Sequence, residues 1–178
     1  TGVRAYLFDH AGRESASAYA EIGLSCPRPG WVEHDPLALW EQTLAVTRSA
    51  IVRASVDPRD IDAIGITNQR ASALVWDADS GAPVYPAIGW QDLRTVPDCE
   101  ALGRRGYVVN SMQSASKWAW ILANVPGARA RAAAGRLRLG TVDTWIGWKL
   151  SRGACHVTDA SNASCTGVYD FFNNCWDA

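Results

Sequence analysis

Residues 61–95 constrain the fold most strongly, because three apolar runs in this stretch each end on polar or turn-forming residues. The run at 61–66 predicts a short buried strand that ends on the polar cluster 67–70. The run at 73–76 predicts a second strand, and the turn sequence Asp-Ala-Asp-Ser-Gly follows it. The run at 87–90 again ends on hydrogen-bonding side chains. Because the strands of an α/β sheet present ligand-binding groups at their ends, the pattern predicts a site for a small polar ligand.

The residues before this stretch predict a β-hairpin and one long helix. Residues 3–8 are strand-like, a turn sequence follows, and residues 15–24 predict the returning strand. Asp35 is a favourable N-cap and Pro36 suits the first helical position, so we predict a helix over residues 36–54. Helical spacing assigns its inward face to Leu37, Trp40, Leu44 and Ile51.

The residues after the stretch predict four more helices and one strand. A short helix fits between residues 94 and 106, and a second helix begins at Ser114. The apolar face of that second helix is expected to hold Trp118, Ile121, Leu122 and Val125. A short helix follows at 126–135, residues 137–139 predict a strand, and the last helix begins near Thr141.

Composition and charge give no reason to expect a nucleic-acid or membrane partner. The 178 residues, 48% hydrophobic, are enough for one domain with a sizeable core, and the net charge is −1. Residues 94–140 hold eight basic and two acidic side chains, which solvated helix faces explain more simply than a phosphate patch. No apolar run approaches the roughly 20 residues that span a bilayer.

The cysteine and histidine residues indicate a reducing compartment and no metal site. The five cysteines are odd in number and lack Cys-x-x-Cys spacing, and the three histidines do not pair at ligand spacing. We therefore expect reduced thiols in a cytoplasmic protein, with no metal ligand set. The chain begins at Thr1 without Met, which is typical of a fragment.

Motifs inside and outside residues 61–95 resemble a single family. They are GWVEHDP, GITNQR, WQDLRT, GTVDTWIGWKL and TDASNAS. Together they are similar to the glycerol kinase-like branch of the FGGY carbohydrate kinases, and the resemblance covers essentially all 178 residues. It implies an α/β, ribonuclease H-like (actin-like ATPase) fold with a mixed sheet flanked by helices. Residues 1–178 would be the substrate-side lobe of a two-lobe kinase, without the ATP-binding domain.

The resemblance implies phosphoryl transfer from ATP, with Mg²⁺, to a hydroxyl of glycerol or a related sugar or polyol. The family's catalytic base is an Asp of a Gly-Asp-Gln segment that we expect beyond residue 178. This chain would therefore contain no catalytic residue and would be inactive by itself. Small-molecule substrate and nucleotide are the expected partners, and the resemblance leaves a homo-oligomer open for the full-length enzyme.

The matched motifs also imply substrate-binding positions. Arg70, with Gln69 beside it, corresponds to the family's polyol-binding arginine, and Trp90 corresponds to a tryptophan that packs on the carbon face of the polyol. Ala71 stands where the family has Glu, and Met112 stands where it has Tyr. Each replacement removes about 1–3 kcal/mol of hydrogen bonding if the bond was buried, so glycerol itself is not assured as the substrate.

Nucleotide-binding positions follow from the N-terminal residues. Thr1, Gly2 and Arg4 correspond to the end of the family's first phosphate motif, where backbone N–H groups of a tight turn suit oxyanions. Asp92 and Asp143 would lie near the cleft, and structural hydrogen bonding is the simpler role for each. For His34, between two acidic residues, fastening a loop is a simpler role than acting as a catalytic base.

Three functions remain open on the sequence alone. The first is the substrate lobe of a polyol or sugar kinase. The second is a non-catalytic sugar-binding or scaffold module that kept the fold but lost its ligands, for which Ala71 and Met112 are the evidence. The third, nucleic-acid binding by residues 94–140, ranks last. Residues 102–111 form a shorter connection than the family usually has, either because residues are missing or because the loop is short.

Overall fold

The computed structural model describes residues 2–177 and has a mixed α/β structure. The chain divides into two units. Unit 1 comprises Thr1–Leu24 and His34–Ile66, and unit 2 comprises Ser25–Glu33 and Thr67–Ala178. None of the helices described within residues 2–177 combines the length and hydropathy needed to cross a membrane.

Unit 1 is a β-hairpin packed on a long helix, as the sequence predicts. Strands β1 (Gly2–Phe8) and β2 (Glu14–Glu21) pair antiparallel. The Asp9 carboxylate holds the turn between them, because it accepts hydrogen bonds from two backbone N–H groups of the turn. Helix α1 (Pro36–Ala54) begins at Asp35, whose side chain accepts the Leu37 N–H at 2.8 Å. Capping chemistry therefore sets the predicted start of α1.

The buried face of α1 differs from the predicted one. Leu39, Val46 and Ala50 are buried, whereas Leu37 remains 48% exposed. Val46 and Ala50 pack against Ala18 of β2. Two apolar stripes at helical spacing exist on this helix, and the small side chains at 18 and 50 let the hairpin approach one of them closely. Within the predicted stripe, Leu37 is wrong for that reason, whereas Trp40, Leu44 and Ile51 are half-buried.

Residues 61–66 do not form the buried strand that their apolar side chains predict. This part of the described chain is assigned to neither helix nor strand, and Ile64 and Ile66 are 67% and 37% exposed. A strand forms only where a neighbouring strand satisfies its N–H and C=O groups. Within residues 2–177 no strand pairs with this run, so its apolar side chains stay on the surface.

Unit 2 contains the other strands and helices, apart from β3, which lies at the division between the units. Strand β3 is Glu33–His34. The strands of unit 2 are β4 (Leu74–Asp77), β5 (Ala87–Ile88), β6 (Leu137–Gly140), β7 (Tyr169–Asp170) and β8 (Cys175–Trp176). The helices are α2 (Val96–Gly103), α3 (Ser114–Asn124), α4 (Ala128–Ala133), α5 (Val142–Leu150) and α6 (Ala160–Ala163). The strands predicted at 73–76 and 137–139 and the four helices predicted after residue 94 are confirmed. The sequence did not predict α6 or the β7–β8 hairpin.

The core of unit 2 forms around the antiparallel pair β4–β6. Val75 of β4 packs with Ile88 of β5, Ile121 of α3 and Leu137 of β6, and all four side chains are buried. The apolar face predicted for α3 is confirmed, because Trp118, Leu122 and Val125 pack against this cluster. Full burial of each large aliphatic side chain contributes about 1.5–3 kcal/mol. The ends of β4 and β5 are thereby held by a dry core.

We expect Gly81→Ala to destabilise unit 2 much more than Gly135→Ala. Both glycines have positive φ, 69° and 72°, so both variants incur a backbone cost of about 1–2 kcal/mol. A Cβ at Gly81 would also lie 2.1 Å from the Trp148 ring, whereas a Cβ at Gly135 meets nothing within 4 Å. Urea unfolding should therefore show an additional loss of about 1–3 kcal/mol for Gly81→Ala, and equal losses would contradict this packing.

Candidate functional site

Arg94 is the centre of a buried polar network at the end of β5. Its Nε and Nη2 atoms donate to the two Asp92 carboxylate oxygens at 2.8 Å, and Nη2 also donates to Glu33 Oε1 at 2.8 Å. Nη1 donates to the Tyr85 hydroxyl, which in turn donates to Glu33. The side chains of Arg94, Asp92 and Glu33 are 1%, 0% and 8% exposed. Residues that lie 61 positions apart in the chain are thus joined by charge-assisted hydrogen bonds.

Two tryptophan rings complete the surroundings of Arg94. The guanidinium carbon lies 3.8 Å from the ring centroid of Trp31 and 4.7 Å from that of Trp120. Burial lowers the pKa of Arg94, but its hydrogen bonds to Asp92 and Glu33 raise the pKa and prevail, so the guanidinium stays charged. Arginine suits this buried position better than lysine, because its guanidinium packs on aromatic rings and keeps its charge when buried.

Asp92 has a structural role in this arrangement. Its carboxylate accepts the Val32 N–H at 2.6 Å and the Arg94 N–H at 2.9 Å, in addition to the two bonds from the guanidinium. The Gly89 N–H donates to Val32 O at 2.8 Å, which adds a second link between the same two segments. The loop that carries Trp90 is therefore fixed by its neighbours on both sides.

Asp143 joins three other segments of unit 2. It lies in the first turn of α5 and accepts hydrogen bonds from the Thr141 hydroxyl, from Thr158 Oγ1 at 2.6 Å and from Asn68 Nδ2 at 3.0 Å. Asp143 is 8% exposed, so these bonds satisfy a carboxylate that has little access to water. Because Asn68 precedes Arg70 by two residues, Asp143 anchors the loop that presents Arg70.

A cavity of about 350 Å³ opens beside this anchor. Hydroxyl groups and aromatic rings line much of it, including those of Trp118, Thr141, Thr144, His156, Thr158 and Thr166. Most of the polar atoms there are already engaged: the Trp118 indole N–H donates to Gly140 O, and a ring nitrogen of His156 donates to Leu139 O. The cavity therefore has a mixed lining, more of it apolar than polar, and it adjoins Thr141 and Thr158, two of the hydrogen-bond partners of Asp143.

The five predicted substrate positions lie in unit 2 but differ in their surroundings. Arg70 is exposed, and its Nη1 donates to Ser161 Oγ at 3.3 Å. Gln69 is half-buried, Ala71 is buried, and Trp90 and Met112 are 39% and 56% exposed. Within residues 2–177 no hydrogen bond or ring contact joins Trp90 to the other four positions. Two of the five, Ala71 and Met112, are brought together by a side chain that the sequence did not single out.

That side chain is Lys117 on α3. Its Nζ donates to three backbone carbonyl oxygens, those of Ala71 at 3.3 Å, Met112 at 3.1 Å and Gln113 at 3.4 Å. Lys117 is 0% exposed. The sequence does contain a feature that could have indicated a buried lysine. Lys117 shares the inward face of α3 with Ser114 and Ile121, at a spacing where an apolar side chain is expected.

Burial lowers the pKa of Lys117 to about 8 from its ordinary 10.5. The negative charge of Asp92 and a smaller contribution from Cys99 raise the pKa, but both are outweighed by desolvation. A buried lysine without a carboxylate in direct contact is unusual, because the ammonium relies on carbonyl dipoles for its solvation. All three N–H donors of the Lys117 ammonium therefore have carbonyl acceptors, and two of these acceptors belong to the predicted substrate positions Ala71 and Met112.

The predicted nucleotide-binding positions lie at the start of unit 1. Thr1 is outside the described residues. Gly2 pairs with Glu21 across the hairpin, and the exposed Arg4 guanidinium lies 4.9 Å from the Tyr19 ring centroid. A phosphate-binding role for Gly2 and Arg4 stays a prediction. Among residues 2–177 no group of three His, Cys, Asp or Glu side chains could hold a metal ion.

His34 is 3% exposed, and its Nδ1 donates to Gly23 O at 3.1 Å. The imidazole therefore fastens a loop of unit 1, as the sequence predicted.

Comparison with known proteins gives a family for the whole chain. The family model for the FGGY family of carbohydrate kinases, N-terminal domain, matches residues 1–178. A glycerol kinase of Halorhodospira halophila is 46% identical over 187 residues, which cover 99% of this chain and 37% of that protein. A glycerol kinase of Roseobacter denitrificans is 48% identical over 186 residues, with 99% and 38% covered. This chain thus spans less than two fifths of the length of these relatives.

Solved structures agree with the sequence comparison. The crystal structure of Plasmodium falciparum glycerol kinase with ADP matches with a TM-score of 0.93 at 28% identity, over 99% of this chain and 37% of that one. A xylulose kinase from Rhodospirillum rubrum matches with a TM-score of 0.81 at 24% identity, over 100% of this chain and 38% of that one. At 24% identity, the second match shows similarity of fold alone. Together these matches confirm the expected α/β fold of the actin-like sugar kinases.

We expect Arg94→Ala to be strongly destabilising, because it leaves two carboxylates buried without their cation. Removing one partner of such a network costs about 3–5 kcal/mol. The matched control is Arg131→Ala, which breaks a 2.9 Å pair with Asp77 whose side chains are 34% and 27% exposed. A partly exposed pair contributes about 0–1 kcal/mol. Thermal and urea unfolding should separate the two variants, and similar losses would contradict a buried network.

The lowered pKa of Lys117 predicts a specific pH dependence of stability. Between pH 8 and 10.5 the unfolded chain binds this proton but the folded chain does not, so the free energy of unfolding should rise with pH in this window. Lys117→Met should remove that rise, and Lys149→Met should keep it. Urea unfolding of the three proteins at several pH values tests this, and parallel curves for wild type and Lys117→Met would refute it.

Proposed function

The chain belongs to the FGGY family of carbohydrate kinases, and on this premise we propose that it is the substrate-side domain of an ATP-dependent kinase for glycerol or a related polyol or sugar. The observation that carries the proposal is the 46–48% identity to glycerol kinases over 99% of the chain. A non-catalytic sugar-binding module, the alternative considered from the sequence, gains no support from these relatives.

Arg70 and Trp90 provide complementary contacts for a polyol. Arg70 is exposed, and its bond to Ser161 leaves most of its five N–H donors available for substrate hydroxyl groups. Trp90, 39% exposed, offers an apolar ring face on which the carbon backbone of a polyol could pack. Directional donors for hydroxyl groups and a flat apolar surface for C–H groups are what a small carbohydrate requires.

ATP supplies the phosphoryl group in this proposal. The exposed guanidinium of Arg4 suits an anionic phosphate, because its bond to the Tyr6 hydroxyl and its contact with the Tyr19 ring leave further N–H donors available. Mg²⁺ would accompany ATP in the complete protein, and the residues described, 2–177, hold no group of three His, Cys, Asp or Glu side chains that could bind a metal ion without the nucleotide. We therefore derive no step through the metal from this chain.

The base that accepts the hydroxyl proton is not expected among the acidic residues of the site. Asp92 accepts four hydrogen bonds and Asp143 accepts three, so both carboxylates are occupied with positioning. Phosphoryl transfer depends mainly on positioning and electrostatic stabilisation, which this chain can contribute without a base. We accordingly propose that the 178 residues bind and orient the acceptor but do not catalyse its phosphorylation alone.

The identity of the acceptor depends on Ala71 and Met112. A buried Ala71 methyl group and an exposed Met112 thioether cannot make the hydrogen bonds that Glu and Tyr would make. A polyol or sugar with a different hydroxyl pattern from glycerol is therefore a candidate equal to glycerol.

The five free cysteines agree with the reducing cytoplasm that we propose for the enzyme.

The deciding experiment is a kinase assay of the complete protein that contains this chain. Glycerol, erythritol, xylulose and ribulose serve as acceptors, and ADP release is measured with and without each of them. We expect acceptor-dependent ADP release with at least one compound, and none from the isolated 178 residues. Absence of turnover by the complete protein with every acceptor would favour the non-catalytic module.

Arg70→Ala should weaken acceptor binding in the complete protein. Loss of one or more hydrogen bonds from a charged donor costs about 1.5–3 kcal/mol, which corresponds to an increase of KM for the acceptor of roughly 10–150-fold. KM for ATP should change less than twofold. Arg104→Ala, at an exposed position, is the control and should match the wild type. An unchanged KM for the acceptor in Arg70→Ala would remove Arg70 from the proposed site.

A further inference from the structure

We propose that Lys117 is a positioning residue that fixes the spacing between the two backbone segments that carry Ala71 and Met112. The inference rests on the proposed function, in which both positions face the acceptor. Lys117 itself would not touch the substrate. Its effect would be to hold the two walls of the acceptor site at one distance.

The geometry of the ammonium supports a positioning role rather than a binding role. A lysine ammonium has three N–H donors, and three carbonyl oxygens lie within 3.4 Å of Lys117 Nζ. One donor is therefore available for each carbonyl, and none remains for a ligand. The side chain is 0% exposed, so a substrate could not reach it without rearrangement.

Ala71 and Met112 differ in how their own segments restrain them. Ala71 has a φ of +65°, a left-handed conformation that costs a residue with a side chain about 1–2 kcal/mol. Met112 lies in a turn whose N–H groups bond to Asn110, and its side chain is 56% exposed. The bond from Lys117 to Ala71 O spans 46 residues of sequence and ties the strained residue to this turn.

Stability alone gives no reason for a lysine here. Burying an ammonium carries a large desolvation cost, which carbonyl dipoles offset only in part. The titratable groups that act on its pKa are Asp92, which already accepts two bonds from the Arg94 guanidinium, and Cys99. A methionine of similar volume would avoid that desolvation cost but would leave the three carbonyl oxygens without this donor. What methionine could not do is hold three carbonyl oxygens around one point.

The kinetic test compares Lys117→Met with Lys149→Met in the complete protein. Both remove one lysine, but only the first removes the three carbonyl contacts. We expect Lys117→Met to raise KM for the acceptor at least tenfold and to leave KM for ATP within twofold. Lys149→Met should leave both constants unchanged. A Lys117→Met protein that melts at a lower temperature but keeps its KM for the acceptor would overturn the proposal.

Hydrogen exchange measured by mass spectrometry gives a second readout that does not need activity. Lys117→Met should speed exchange at least tenfold in peptides covering residues 69–73 and 110–113 together, with no change in β1 or β2. Unchanged exchange in either peptide would contradict the proposal even if the complete protein is an active kinase. If the wild-type protein phosphorylates nothing, this measurement still tests Lys117, so the two proposals fail separately. Should Lys117→Met not fold, Lys117→Gln, which keeps an amide donor, should show a smaller increase in both peptides.

Discussion

The Arg94 guanidinium, shared between two buried carboxylates, is the interaction on which the organisation of unit 2 depends. Asp92 belongs to the same short loop, whereas Glu33 lies 61 residues earlier, so the arginine ties an early segment of the chain to the end of β5. The rings of Trp31 and Trp120 lie against the guanidinium, and the Arg94 side chain is only 1% exposed. Any other arrangement of these partners would leave a buried ion unpaired and would therefore be strongly destabilising.

Lys117 and Asp143 repeat the same principle at two other places. Lys117 gathers carbonyl oxygens from residues 71, 112 and 113, and Asp143 gathers donors from residues 68, 141 and 158. Each is a buried charged group that fixes loops rather than strands. The short strands of unit 2 hold the core, but the loops that carry Arg70 and Met112 depend on these two side chains. A site for a small polar ligand needs such rigidity, because misplacement of a donor by about 1 Å can cost 10²-fold in rate.

Local chemistry made part of the fold predictable. Asp35 and Pro36 specify the start of α1 through capping and a preset φ, which is why its predicted bounds agree with the structure. The strand at 61–66 was predicted wrongly and the buried face of α1 only in part correctly, because both depend on a partner element. Helical periodicity does not say which of two apolar stripes meets the hairpin, and an apolar run becomes a strand only beside another strand.

The sequence by itself determined the family and the α/β class, because these follow from residue order and short-range chemistry, and it predicted Arg70 and Trp90 as substrate contacts. The sequence favoured structural hydrogen bonding for Asp92 and Asp143, but only the tertiary structure decided which segments they join and that Lys117 lies inside the protein. Those roles rest on contacts between residues 46–75 positions apart. The free energy of a buried charge depends on which groups surround it after folding, and a linear pattern of residues does not contain that arrangement.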